Sequence, residues 1–164
     1  MERTSKGREF NKILLISGYH PKETFAVRVG EYFLQNKLNC DAKVIRYVGK
    51  PDQISSRNLK RFIGKFGSGS EIVPIVLHGD DDIGVDAVII CYARSKLEKK
   101  KSLKILFDFS LECYHSNGIK VVGDIVFVPT AKYNLIEIEL NSRMGLFKGV
   151  SLIRNFCEYL RKSF

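Results

Sequence analysis

The sequence predicts an α/β fold: one domain over residues 1–164, built on a mainly parallel or mixed twisted sheet with helices on both faces. Three observations carry this expectation. Short apolar runs of strand length alternate with longer segments of helical periodicity, the pattern of β-α units around a shared sheet. No internal repeat or low-complexity linker divides the 164 residues. At 45% hydrophobic and 27% charged, the chain has an ordinary globular composition and enough length to bury a core.

The elements follow in order. "KILLISG" (12–18) is a continuous apolar run ending at glycine, as expected of a strand buried on both faces. Residues 22–37 place Phe25, Val29, Tyr32 and Phe33 at helical spacing. "DAKVIRYVG" (41–49) alternates as a second strand, and "KPDQISS" (50–56) is a turn-rich loop. A short helix follows at 57–66, closed by the Gly67–Gly69 stretch. "EIVPIVLHG" (71–79) and "VDAVIICYA" (85–93) are strand runs joined by the acidic loop "DDDIG". Pro74 within the first of them is a mild objection, since proline favours sheet edges and strand starts. The basic segment Arg94–Lys104 leads into a helix through about Asn117, with Ile105, Phe109 and Cys113 on one face. Residues 118–129 and 134–141 read as strands, and 145–162 as an amphipathic closing helix.

Composition narrows the function classes. The net charge of +9 suits an anionic partner or a solvated surface equally well. No recognised nucleic-acid motif or interleaving of aromatic with basic residues accompanies it, so the sequence argues against a nucleic-acid partner without removing that reading. Cys40, Cys91, Cys113 and Cys157 are scattered, with no CxxC pair, as expected of small core hydrophobes rather than a disulfide framework or a thiolate zinc site. The polar start "MERTSKGREFNK" is unlike a signal peptide, and no run of eighteen apolar residues occurs. The expectation is a cytoplasmic, reduced protein with no membrane segment.

Ligands of open α/β sheets gather at the carboxyl ends of the strands. His20 and Glu23 fall just past the end of the first strand, and His78 at the end of the third. If these strands run parallel, two imidazoles and a carboxylate face one crevice. That is a three-ligand set for one zinc ion, with a fourth position open. The i, i+3 spacing puts His20 and Glu23 on one face of a starting helix, and Pro21 fixes the backbone between them. Each residue also has a plainer explanation. A glutamate in a first helical turn is favoured by the helix dipole, and a histidine at such a junction is often a surface residue. His115, near a helix end, has that simple rationale and stays outside the metal set.

Glu137 and Glu139 share a face of the last strand, since side chains there repeat every two residues. Flanked by Leu135, Ile136, Ile138 and Leu140, they belong to a largely buried strand, where a carboxylate needs a partner. Asp80, Asp81 and Asp82 could orient an imidazole ligand, or be ordinary loop carboxylates.

"ISGYHPKETFAVRVGEYF" resembles the first metal-binding segment of the zinc carboxypeptidase superfamily, whose branches include the succinylglutamate desuccinylases and aspartoacylases. "VPIVLHGD" resembles the strand supplying the last zinc ligand, here His78, and "LIEIELN" the strand carrying the general base. The N-formylglutamate amidohydrolases, related in fold, share a similar ending. "SSRNLKRF" resembles the segment whose arginine grips a substrate carboxylate in the desuccinylase branch. The segments occur in the superfamily's order from about residue 12 to 160. The resemblance implies a phosphorylase/hydrolase-like α/β fold and one zinc held by His20, Glu23 and His78. It places the base at Glu139 rather than Glu137 and the carboxylate grip at Arg61. Arg57, Arg94 and Lys22 are candidates for polarising the scissile carbonyl, for which no convincing match exists. The implied partner is a small molecule or peptide bearing a carboxylate, cut at an amide or peptide bond. The chain is much shorter than a typical member, and Lys60 replaces the usual asparagine before Arg61. A non-catalytic relative that binds metal or partner proteins therefore stays open, as does a basic nucleic-acid-associated protein.

Overall fold

The computed structural model describes residues 12–20, 22–36, 38, 42–47, 56–67 and 72–163. The readings made for Pro21, Cys40, Gly69, the N-terminal segment and most of the 50–56 loop lie outside these residues. Six strands form one sheet: β1 (Lys12–Ser17), β2 (Ala42–Arg46), β3 (Ile72–Gly79), β4 (Ala87–Ala93), β5 (Val121–Phe127) and β6 (Ile136–Leu140). Their spatial order is β2-β1-β3-β6-β4-β5. β1, β2, β3 and β6 run parallel; β4 is antiparallel to β6 and parallel to β5. The α-helices among the described residues are α1 (Thr24–Gln35), α2 (Ser56–Gly64), α3 (Lys96–Asn117) and α4 (Gly145–Ser163).

The sheet is mixed, as expected, and covered on both faces, but unequally. Leu15, Ile75, Leu77, Ile89 and Ile138 point to a larger core with Phe25 and Val29 of α1, Phe109 of α3 and Ile153 and Phe156 of α4. Phe109 and Phe156 lie almost wholly buried with ring centroids 5.0 Å apart. The opposite face carries a smaller core, in which Leu14, Ile16 and Val76 meet Leu59, Phe62 and Ile63 of α2 together with Tyr19, Tyr47 and Tyr133. Strand alternation sorts one sequence into these two sets. Because α2 is short, it leaves part of its face open, and the polar ends of β1, β3 and β6 emerge there.

Two local expectations are settled by the topology. β3 and β4 are consecutive in sequence but not neighbours, since β6 lies between them. Pro74 sits in a central strand; it pairs with Leu14 of β1 but comes one residue before the β3–β6 ladder, which starts at Ile75. On the β6 side its missing N–H therefore empties no rung.

The basic segment after β4 is a capped helix start. Ser95 accepts a hydrogen bond from the Glu98 N–H (3.1 Å), and Glu98 reaches back to the Arg94 backbone N–H (2.7 Å) and to its guanidinium (2.6 Å). Burial works to raise the Glu98 pKa, but the side-chain and backbone hydrogen bonds and charge of Arg94 prevail and lower it. A carboxyl whose folded pKa lies below its unfolded value of about 4.3 stabilises the protein above that value and ceases to as pH falls through the folded one. Glu98→Gln should therefore cost about 1 kcal/mol at neutral pH, and the gap in thermal midpoint between variant and wild type should close below about pH 4. A gap that persists unchanged at acid pH would show that the charge is not what stabilises this helix start.

Candidate metal centre

Gly18, at φ +74°, takes a left-handed backbone that an L side chain would strain, and turns the chain out of β1. That turn sets Tyr19 into the smaller core and puts His20 and Glu23 over the sheet end. Helix α1 starts at Thr24, so Glu23 is its N-cap rather than a first-turn residue, and its side chain makes no capping bond. The carboxylate instead accepts from the Gly79 N–H at 2.9 Å. A Cβ at Gly79 would come within 3.2 Å of the Glu23 Cβ, so the approach depends on glycine there. Glu23 thus sits at the positive end of α1 and is also fixed by a bond against the end of β3.

β1 and β3 are parallel neighbours, and His78 arrives beside both earlier residues. Its Nδ1 is 3.6 Å from Glu23 Oε2. The His20 and His78 rings lie 5.2 Å apart, and Tyr19 stands edge-on to both, at 4.8 and 5.6 Å. One nitrogen from each imidazole and one Glu23 oxygen all lie within 4.8 Å of one another. These three residues can hold a metal ion. Donors bound tetrahedrally at 2.0–2.2 Å sit roughly 3.4 Å apart, so small side-chain adjustments suffice. The His78 nitrogen nearest Glu23 is Nδ1, and Nε2, buried without a hydrogen-bond partner, lies towards Glu137. Two neutral nitrogens, one carboxylate and no thiolate suit zinc among the biological divalent ions.

Two further carboxylates come from β6, whose Glu137 and Glu139 lie opposite Val76 and His78 of β3. Glu137 Oε1 is 3.8 Å from His78 Nε2, and its other oxygen accepts from the Tyr92 hydroxyl at 3.0 Å. The nearby His78 imidazole outweighs burial and holds the Glu137 pKa below the usual carboxylate value. Glu139 is shifted the other way, by burial first and then by the negative charge of Asp80. Burial and the nearby Glu137 charge push the Tyr92 phenol far up, so it stays a donor. Of the loop acids, Asp81 accepts from the Ser142 N–H (2.8 Å) and ties the loop to the end of β6, and Asp82 is exposed.

A cleft of about 320 Å³ adjoins the centre. It is lined by Tyr19, Tyr92, Leu135 and Glu137, by Leu59, Lys60 and Ile63 of α2, and by Val128 and Thr130–Tyr133. None of the three arginines singled out in the sequence lines it. Arg57 and Arg61 are on the exposed side of α2. Arg94 is committed to Glu98 and to the Lys132 carbonyl (3.0 Å). His115 is exposed at the end of α3, apart from the cluster. Sequence reasoning missed Tyr19, Tyr92 and Tyr133. Tyr19 had a readable signal, since it directly precedes a candidate ligand; Tyr92 depends on the antiparallel placement of β4 beside β6, and Tyr133 comes from the segment between β5 and β6.

No protein-family model matches the sequence, and no curated protein does. Solved structures do match in fold. Murine aminoacylase 3 superposes with a TM-score of 0.58 at 15% identity, over 95% of this chain and 67% of that one. An N-acetylmuramyl-L-alanine amidase from Mycobacterium abscessus gives 0.58 at 10% identity, over 93% of this chain and 100% of that one. A metallo-carboxypeptidase from Burkholderia cenocepacia gives 0.56 at 9% identity, over 98% of this chain and 60% of that one. The chain thus shares its fold with these proteins, spanning about two thirds of the aminoacylase. Among the described residues no helix is long and apolar enough to cross a membrane.

Proposed function

We propose that this chain is a zinc-dependent hydrolase of an amide or peptide bond in a small substrate carrying a carboxylate. One observation carries the reading: two imidazoles and a carboxylate, from segments some sixty residues apart, converge within 4.8 Å, beside a cleft whose lining residues Tyr19 and Glu137 approach those imidazoles. His20, Glu23 and His78 would hold the ion. Zinc bound there supplies a Lewis acid and lowers the pKa of water to about 7.

The chain's own residues have separable parts. Glu139 would take a proton from the attacking water and return it to the leaving amine. It lies opposite His78 of β3, and burial, with the negative Asp80 beside it, favours proton uptake. Glu137 is held by His78 and Tyr92, which suits a fixed acceptor better than a proton carrier. The apolar walls would take an uncharged portion of the substrate and exclude water. Lys60, which lines the cleft, is better placed than its neighbour Arg61 to hold the carboxylate.

That no guanidinium lines the cleft among the described residues favours a second reading, a metal-binding relative without catalysis. A panel of N-acyl amino acids and dipeptides separates the two. The expected result is release of free amine that a chelator abolishes and added zinc restores. Zinc-replete protein inert across the panel would favour the binding relative.

A further inference from the structure

An amide carbonyl that is attacked by water becomes an oxyanion, and hydrolases place a hydrogen-bond donor where that charge develops. Arg57, Arg61 and Arg94 do not line this cleft; the side-chain donors that do include Lys60, Lys132 and three phenols. Two of those hold a buried hydroxyl without a partner, Tyr19 and Tyr133, each only 4% exposed. A buried phenol that donates to nothing costs free energy and calls for an explanation. The Tyr133 hydroxyl lies by α2, 3.6 Å from where a Cβ on Gly64 would be, on the flank of the cleft. Tyr19 is packed edge-on against both candidate imidazole ligands, and its ring also meets that of Tyr47, with centroids 4.8 Å apart. Tyr92, the third phenol in the cleft, already donates to Glu137.

We infer that the Tyr19 hydroxyl is the group that donates to the scissile carbonyl oxygen, taking the part a guanidinium would otherwise play. The inference rests on the hydrolase reading above. No proton is transferred: the phenol keeps its hydrogen, and the bond to the carbonyl oxygen shortens as negative charge builds there. A phenol is a neutral donor in a cleft walled by apolar side chains, so it carries no cationic charge that the substrate must offset. It would favour substrates whose cleft-facing part is uncharged, leaving the carboxylate to Lys60 at the rim.

Tyr19→Phe removes one oxygen and keeps the ring that packs on His20 and His78. Zinc content and thermal midpoint should match wild type, while kcat on an N-acyl amino acid falls by about 10²–10³-fold with little change in KM. A phosphinate mimic of the tetrahedral species, titrated calorimetrically, should bind the variant at least tenfold more weakly, and the product acid equally well. If Tyr19→Phe fails to fold or to hold zinc, 3-fluorotyrosine at position 19 keeps the shape and strengthens the donor. It should then tighten phosphinate binding severalfold, and unchanged binding would overturn the assignment. Unchanged kcat and phosphinate affinity in zinc-loaded Tyr19→Phe would also overturn it, leaving the hydrolase reading intact. Zinc-replete wild type that neither cleaves amides nor binds the phosphinate would remove that reading and this inference with it.

Discussion

His78→Ala should purify with less than a tenth of the zinc that wild type carries, against about one equivalent in the parent. An open three-ligand site loses a third of its donors with this residue, and the two that remain cannot fix the ion's geometry. Substituting a residue that merely hydrogen-bonds a metal ligand costs about 10–100-fold in metal affinity, so a lost ligand should cost more. His20→Ala should behave alike, because the two imidazoles, 5.2 Å apart, are proposed to share one ion. Folding should largely survive, since both side chains lie at the sheet end rather than in either core. Metal analysis beside a thermal melt separates the outcomes. Equal zinc in wild type and both variants would show that the ion, if any, binds elsewhere.

The second large effect concerns Glu139. Glu139→Gln keeps the side chain's size and removes its ability to take a proton. Hydrolysis should fall by two to four orders of magnitude, the usual contribution of a general base, while zinc stays at one equivalent because Glu139 is outside the donor set. Glu137→Gln is the informative comparison. It would loosen the contacts to His78 and Tyr92 and should reduce the rate less. If Glu137→Gln collapses the rate and Glu139→Gln does not, the base is Glu137 and the roles along β6 are reversed.

Much of the fold was legible because period-2 and period-3.6 patterns report which side of an element meets the core. The α/β alternation, the ranges of most elements and the strand-end positions of His20, Glu23 and His78 all followed from such local signals. Strand order did not. That β6 inserts between β3 and β4, and that β4 runs against it, depends on long-range pairing that no local pattern encodes. The same limit explains the arginines. Arg61 and Lys60 are adjacent on α2, and only the orientation of that helix on the sheet decides which side chain faces the cleft. Arg94 looked available as a free cation after a strand, but the helix-start geometry gives it to Glu98. Tyr92 reaches Glu137 only because two strands distant in sequence lie side by side.

The account depends on side chains from the ends of β1 and β3 enclosing a single divalent ion. Anomalous diffraction at the zinc edge from crystals of the purified protein tests that directly. It should show one strong peak about 2.0–2.2 Å from a nitrogen of His20, a nitrogen of His78 and an oxygen of Glu23. A peak at other residues, or imidazoles at positions 20 and 78 turned towards separate partners with no shared ion between them, would contradict it.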